Sequence, residues 1–146
     1  MQLAPLRVLW SLLPLVGCGN CDAWRFRHDY LLDKDATELQ LVKVWASPDE
    51  LATILPSEQP TLPRQPVALA ETDTSNMDAA LQIGGEPLFV GQPLAPRCVT
   101  CNDAMVYVAT LARSEAFDPP LAVVGVRHHF ACMRCRTLAV IAEAGI

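Results

Sequence analysis

Four cysteines constrain this chain more than any other feature. Cys98 and Cys101 form "CVTC", Cys132 and Cys135 form "CMRC", and residues 102–131 separate the pairs. Two cysteines three positions apart can face one ion when the chain between them turns tightly, and two such knuckles complete a tetrahedral thiolate shell. The spacer exceeds the 15–20 residues usual for this pattern, and the turn residues Asp118-Pro119-Pro120 take up the excess at a hairpin tip. Asn102, directly after the first pair, suits a position where knuckles need a left-handed residue. A structural zinc ion on Cys98, Cys101, Cys132 and Cys135 is the simplest reading. Two disulfides compete with it if the chain is exported, because bare thiols pair in an oxidising compartment. A thioredoxin-like redox pair fits worst, since neither pair opens a helix after a strand, the setting that lowers a thiol pKa.

The residues around the pairs read as strands. "AMVYVATL" places Met105, Tyr107, Ala109 and Leu111 on one parity, and "LAVVGVRHHFACMRC" carries a second strand into the last cysteine pair. A strand, a turn and a strand joining two knuckles is a zinc-ribbon layout. "RTLAVIAEAGI" closes the chain as a further strand or a short helix. His128 and His129 precede Cys132 closely, but adjacent strand residues point to opposite faces, so at most one approaches the ion. With four thiolates at hand, they read as exposed histidines or as supports behind the ligands.

Upstream, Trp24, Phe26, His28 and Tyr30 alternate with more polar residues, as in a half-buried strand. "ELQLVKVW" has apolar residues on both parities and reads as a strand covered on both faces, with Asp33-Lys34-Asp35 making a hairpin turn between the two. "SPDELATIL" at 47–55 reads as a short helix: Ser47 caps, Pro48 takes the first position, and Asp49 and Glu50 suit the positive end of the dipole. Residues 56–66 carry four prolines and form an extended connection.

The N-terminus reads as an address. A start ending at Arg7 and an apolar core from Val8 to Val16 have the layout of a secretory signal, too short to span as a mature helix. Leu15-Val16-Gly17-Cys18 resembles the bacterial lipobox, which implies diacylglycerol on Cys18, a mature chain starting there, and attachment to the membrane of the bacterial cell envelope. The competing reading makes residues 8–16 the first core strand of a cytoplasmic domain, though Pro14 fits a strand interior badly. Cys21 shares the Cys-x-x-Cys spacing but, with Cys18 lipidated, has no local partner.

The net charge of -5 and scattered Arg and Lys residues disfavour nucleic-acid binding, which needs a concentrated cationic face. Hydrophobic residues make up 51% and aromatic ones 6%, so the core must be built mainly from Val, Leu, Ile and Ala. No Ser-His-Asp, phosphate-loop or paired-carboxylate arrangement has supporting context, and "IGG" at 83–85 lacks the lysine and helix of a phosphate cradle.

"LQIGGEPLFVGQ", "PRCVTCNDAMVYVATL" and "VRHHFACMRC" resemble, in order, the YwqG-like family of uncharacterised bacterial proteins and, more distantly, the amino-terminal zinc-binding region of the eukaryotic programmed cell death protein 2 family. Gly84, Gly85, Pro87, Cys98, Cys101, Met105, Leu111, Phe130, Cys132 and Cys135 carry the likeness, which spans Leu81 to the C-terminus, under half the chain. Thr110 replaces the family's glutamine, and Leu88-Phe89 its tryptophan. The resemblance implies a β-rich α+β fold with a knuckle metal site and no established catalytic residues; the eukaryotic relatives act in protein binding linked to ribosome assembly.

The resulting expectation is an α+β, mostly β fold: a small antiparallel sheet with a zinc-ribbon-like, two-knuckle hairpin carrying the four cysteines. A signal peptide occupies 1–17 and one β-rich domain 18–146, with the knuckle region at 81–140. The expected role is non-enzymatic binding or structure, with a protein partner left open. A cytoplasmic zinc-ribbon adaptor and an envelope thiol-disulfide protein are the rivals.

Overall fold

The structure, a computed structural model, describes residues 27–34, 38–45, 81–112 and 125–143. The expected leader with Cys18 and Cys21, the helix at 47–55, the proline-rich connection and the tip at 118–120 lie outside the described residues.

Among the described residues six strands form one antiparallel sheet: β1 (Arg27–Leu32), β2 (Leu39–Trp45), β3 (Leu81–Ile83), β4 (Val106–Leu111), β5 (Val126–Cys132) and β6 (Thr137–Glu143). Their order is β2-β1-β6-β5-β4-β3, so the strand nearest the C-terminus lies between the hairpin that opens the described chain and β5. No helix occurs among the described residues. The last segment is therefore a strand, as "TLAVIAE" favours: central strands are covered on both faces and read as nearly continuous apolar runs.

Asp33 shapes the β1–β2 turn. Its N–H donates to the Glu38 carbonyl at 3.2 Å, and its Oδ1 accepts the Glu38 N–H at 3.0 Å. Arg136 also donates to the Asp33 carbonyl, tying this turn to the one between β5 and β6. β2 departs from expectation. Among the described strands it has β1 as its one neighbour, and Leu41, Val42 and Trp45 are about half exposed, so apolar residues on both parities reflect strand propensity at an edge and not cover on two faces.

Pleating sorts the core into two clusters. Leu138, Val140 and Ala131 pack with Leu32, Val108 and Ala109 on one face. Ala139, Phe130 and Cys132 pack with Cys98 and Met105 on the other. A bulge in β4 between Tyr107 and Ala109 breaks the single parity expected there. It leaves Met105 and Tyr107 with the cysteine cluster and turns Ala109 toward the opposite one.

Leu138 is fully buried in a central strand. Leu138→Ala is expected to lower unfolding free energy by about 2–5 kcal/mol, read from urea denaturation, because the cavity cannot collapse between two paired neighbours.

Candidate metal centre

The second knuckle is the β5–β6 turn itself. Cys132 ends β5 and pairs with Thr137 at the start of β6, so Met133–Arg136 form a four-residue loop with Cys135 inside it. The first knuckle repeats this frame in miniature. An isolated bridge pairs Arg97 with Ala104, the Cys98 N–H donates to the Asp103 carbonyl at 2.8 Å, and the Asn102 N–H donates to the Cys98 carbonyl at 2.9 Å. Cys98 thus stands to Asp103 as Cys132 stands to Thr137, five positions on. In each loop the residue after the second cysteine has a left-handed backbone: φ is 61° at Asn102 and 54° at Arg136. Asn102 meets the sequence expectation, and Arg136 is its counterpart in the other knuckle.

β4 and β5 then bring the knuckles together. They pair antiparallel from Val106 opposite Ala131 to Leu111 opposite Arg127, so a chain leaving Cys101 returns to it at Cys132. The Sγ atoms of Cys98, Cys101, Cys132 and Cys135 all lie within 4.8 Å of one another. The Cys101–Cys132 separation is 3.7 Å, between knuckles. A disulfide would need about 2.05 Å, whereas a tetrahedron with metal–sulfur bonds of about 2.3 Å has edges of about 3.8 Å. The donor set therefore fits a four-coordinate thiophilic cation. His128 and His129 do not belong to this group. Both are fully buried in the core, which corrects the expectation of exposed histidines.

The environment favours one thiolate. Burial pushes Cys98 up, but the Thr137 hydroxyl, the N–H groups of Cys101 and Thr100 and the Cys132 thiol favour its anion and bring it down to about 6. The Cys98–Thr137 contact is 3.1 Å. Cys132 is raised, first by burial, and Cys135 is pushed up to about 12, first by its hydrogen bond to Cys101. A divalent cation replaces the protons those thiols retain, so binding is coupled to proton release.

A second polar group went unread in the sequence. Tyr107 Oη lies 2.7 Å from Thr110 Oγ1, Thr110 Oγ1 lies 2.9 Å from His128 Nδ1, and His128 Nε2 lies 2.8 Å from Glu143 Oε2. Glu143 also accepts the N–H groups of Val90 and Gly91, fastening the segment before the first knuckle to β6. Burial lowers His128, partly offset by Glu143. Burial alone would raise Glu143, but the Val90, His128 and Gly91 donors outweigh it and hold the carboxyl below its usual range. A neutral imidazole giving its Nε2 proton to Glu143 and accepting the Thr110 hydroxyl satisfies every member of the chain. The order hydroxyl, imidazole, carboxylate is that of a nucleophilic triad, but the Thr110 side chain is buried and its hydroxyl is bonded to Tyr107.

No protein-family model, curated protein or solved structure matches this chain at a significant level.

Two outcomes follow from this geometry. At position 102, glycine is expected to preserve stability and valine to cost about 1–2 kcal/mol in chemical denaturation, because a β-branched side chain opposes a left-handed backbone. At His128, the folded imidazole titrates below its ordinary 6.5, so folding stability is complete above that pH and is lost as pH falls toward the folded value. Glu143, depressed from 4.5, adds a further loss below that pH. Unfolding free energies at stepped pH should therefore fall on acidification, and His128→Gln should fall less steeply just below pH 6.5.

Proposed function

We propose that this chain is a structural zinc protein: one zinc ion on Cys98, Cys101, Cys132 and Cys135 fixes two knuckles of a β-rich binding or scaffolding module. The observation that carries the reading is the mutual approach of four sulfurs from two separate turns within 4.8 Å. Zinc is preferred because soft thiolates in a tetrahedral four-sulfur set select it or an iron–sulfur centre, and knuckle spacing is its usual frame. Four protein ligands leave no position for a reacting water, which supports a structural and non-enzymatic role. The likeness of the stretch from Leu81 to the C-terminus to the YwqG-like pattern supports the same reading.

The module is placed in the bacterial cell envelope, held through lipid on Cys18; the run Leu15-Val16-Gly17-Cys18 behind an apolar core supports this half of the proposal. Zinc occupancy then has a second role, shielding four thiols from pairing in an oxidising compartment.

Intact mass of the protein from its own cells tests both halves. One zinc adds about 65 Da under native conditions and is lost on denaturation, whereas two disulfides remove about 4 Da and persist. Loss of residues 1–17 with a large covalent gain supports the anchor, and an unlipidated chain beginning at Met1 overturns it. Cys132→Ser is expected to abolish the native increment of about 65 Da, and a retained increment would count against the four-thiol site.

A further inference from the structure

Arg27 opens β1, far from the cysteines in sequence, yet its side chain ends at the base of the first knuckle. Its Nη2 donates to the Arg97 carbonyl at 2.6 Å and lies 4.0 Å from Met105 Sδ. Arg97 immediately precedes Cys98. Its own guanidinium donates to the Asn102 carbonyl at 2.9 Å, and its neighbour Pro96 accepts the Met105 N–H at 3.0 Å. One arginine therefore grips the point where the two arms of the knuckle meet.

The grip is prepared before the knuckle is reached. Asp29, fully buried on the same face of β1, holds Arg27 through Nη2 at 2.8 Å and Nε at 3.2 Å. The other Asp29 oxygen accepts the indole N–H of Trp45, which sits opposite Arg27 on β2. The Trp45 ring also receives Arg27 Cζ at 4.9 Å and Lys43 Nζ at 3.4 Å from its centroid. Each partner of the guanidinium is thus fixed by another, so little rotamer freedom remains to be lost when the Arg97 carbonyl is engaged. A buried carboxylate satisfied by an arginine and an indole is costly to build, and here its ordered product points at the turn that carries Cys98.

We infer that Arg27 is a positioning residue for the metal centre, acting through the Arg97 carbonyl on Cys98, and that the β1–β2 hairpin senses whether the metal is bound. The inference rests on reading the four cysteines as a metal centre. Coupling is reciprocal: if Arg27 raises metal affinity by orienting the knuckle, metal binding must tighten the Arg27–Asp29–Trp45 group by the same factor. Trp45, half exposed and packed against Arg27 and Lys43, is then a built-in reporter of that coupling.

The test uses the full chain, reduced and stripped of metal, carrying Trp10→Phe and Trp24→Phe so that Trp45 is the sole indole. Cobalt(II) is titrated with its thiolate and ligand-field bands and the indole emission followed together, and zinc is then added in competition. In the parent chain, tetrahedral four-sulfur cobalt bands and a Trp45 emission change should saturate at the same metal ratio. Arg27→Gln should bind cobalt about tenfold more weakly, in the range of other supporting contacts to metal ligands. It should reach the same bands at saturation and leave Trp45 unresponsive. Arg27→Lys, which retains charge without the fork, should fall between. Four-sulfur bands with Arg27→Gln binding as tightly as the parent, or with Trp45 silent in the parent, overturn this inference while leaving the metal centre intact. Absence of four-sulfur bands in the parent overturns both.

Discussion

The antiparallel pairing of β5 with β6 is the constraint on which the rest of the described structure depends, because the turn that joins them is also half of the metal centre. Seven cross-strand pairs, from Val126 opposite Glu143 to Cys132 opposite Thr137, fix where Cys132 and Cys135 stand. Thr137 closes the loop and also bonds Cys98 Sγ, so the last pair of the ladder reaches the other knuckle directly. A structural ion at this point would add apparent binding energy of about 10–16 kcal/mol, comparable with the whole stability of a domain of this size, about 5–15 kcal/mol. Metal and hairpin would then fold as one unit.

Around that hairpin the two faces of the sheet carry different tasks. One is an aliphatic cluster around Leu138 and Val140. The other holds the cysteines with Phe130, Met105 and Ala139, and it also carries the charged groups that fasten neighbouring segments. Glu143 fastens the chain at Val90 and Gly91, while Arg27, backed by Asp29 and Trp45, fastens it at Arg97. Both connections are a side chain meeting backbone groups, so they hold the path of the chain and not merely its surface. The knuckle-bearing segment is thereby fixed at two points before it enters β4.

The sequence was most legible where local chemistry decides structure. The two Cys-x-x-Cys pairs, the left-handed Asn102 and the turn at Asp33 each follow from the nearest few residues, and the structure contains all three. Arg136 was hidden because arginine carries no turn signature; its φ is imposed by the knuckle frame and its side chain is recruited by the Asp33 carbonyl. The β4 bulge was hidden because parity assumes one residue per pleat, and only pairing with β5 shows that Val108 is the extra one. His128 and His129 looked like surface or supporting groups because imidazoles are read as polar; burial next to Thr110 and Glu143, brought close by strand pairing, makes His128 a core residue. Asp29 and Arg27 were invisible for the same reason: their partners stand on β2 and on a loop distant in sequence. The edge position of β2 follows from strand order, which composition does not encode.

A closed four-thiolate centre and an anchored N-terminus are separate proposals that meet in one chemical demand, since thiols exposed to an oxidising compartment persist when a metal holds them. X-ray absorption at the zinc edge, on protein isolated from its own cells, addresses the first most directly. The predicted result is a single shell of four sulfurs at about 2.3 Å. A shell in which nitrogen or oxygen replaces sulfur, or a protein without zinc whose four cysteines are joined as disulfides, would contradict it.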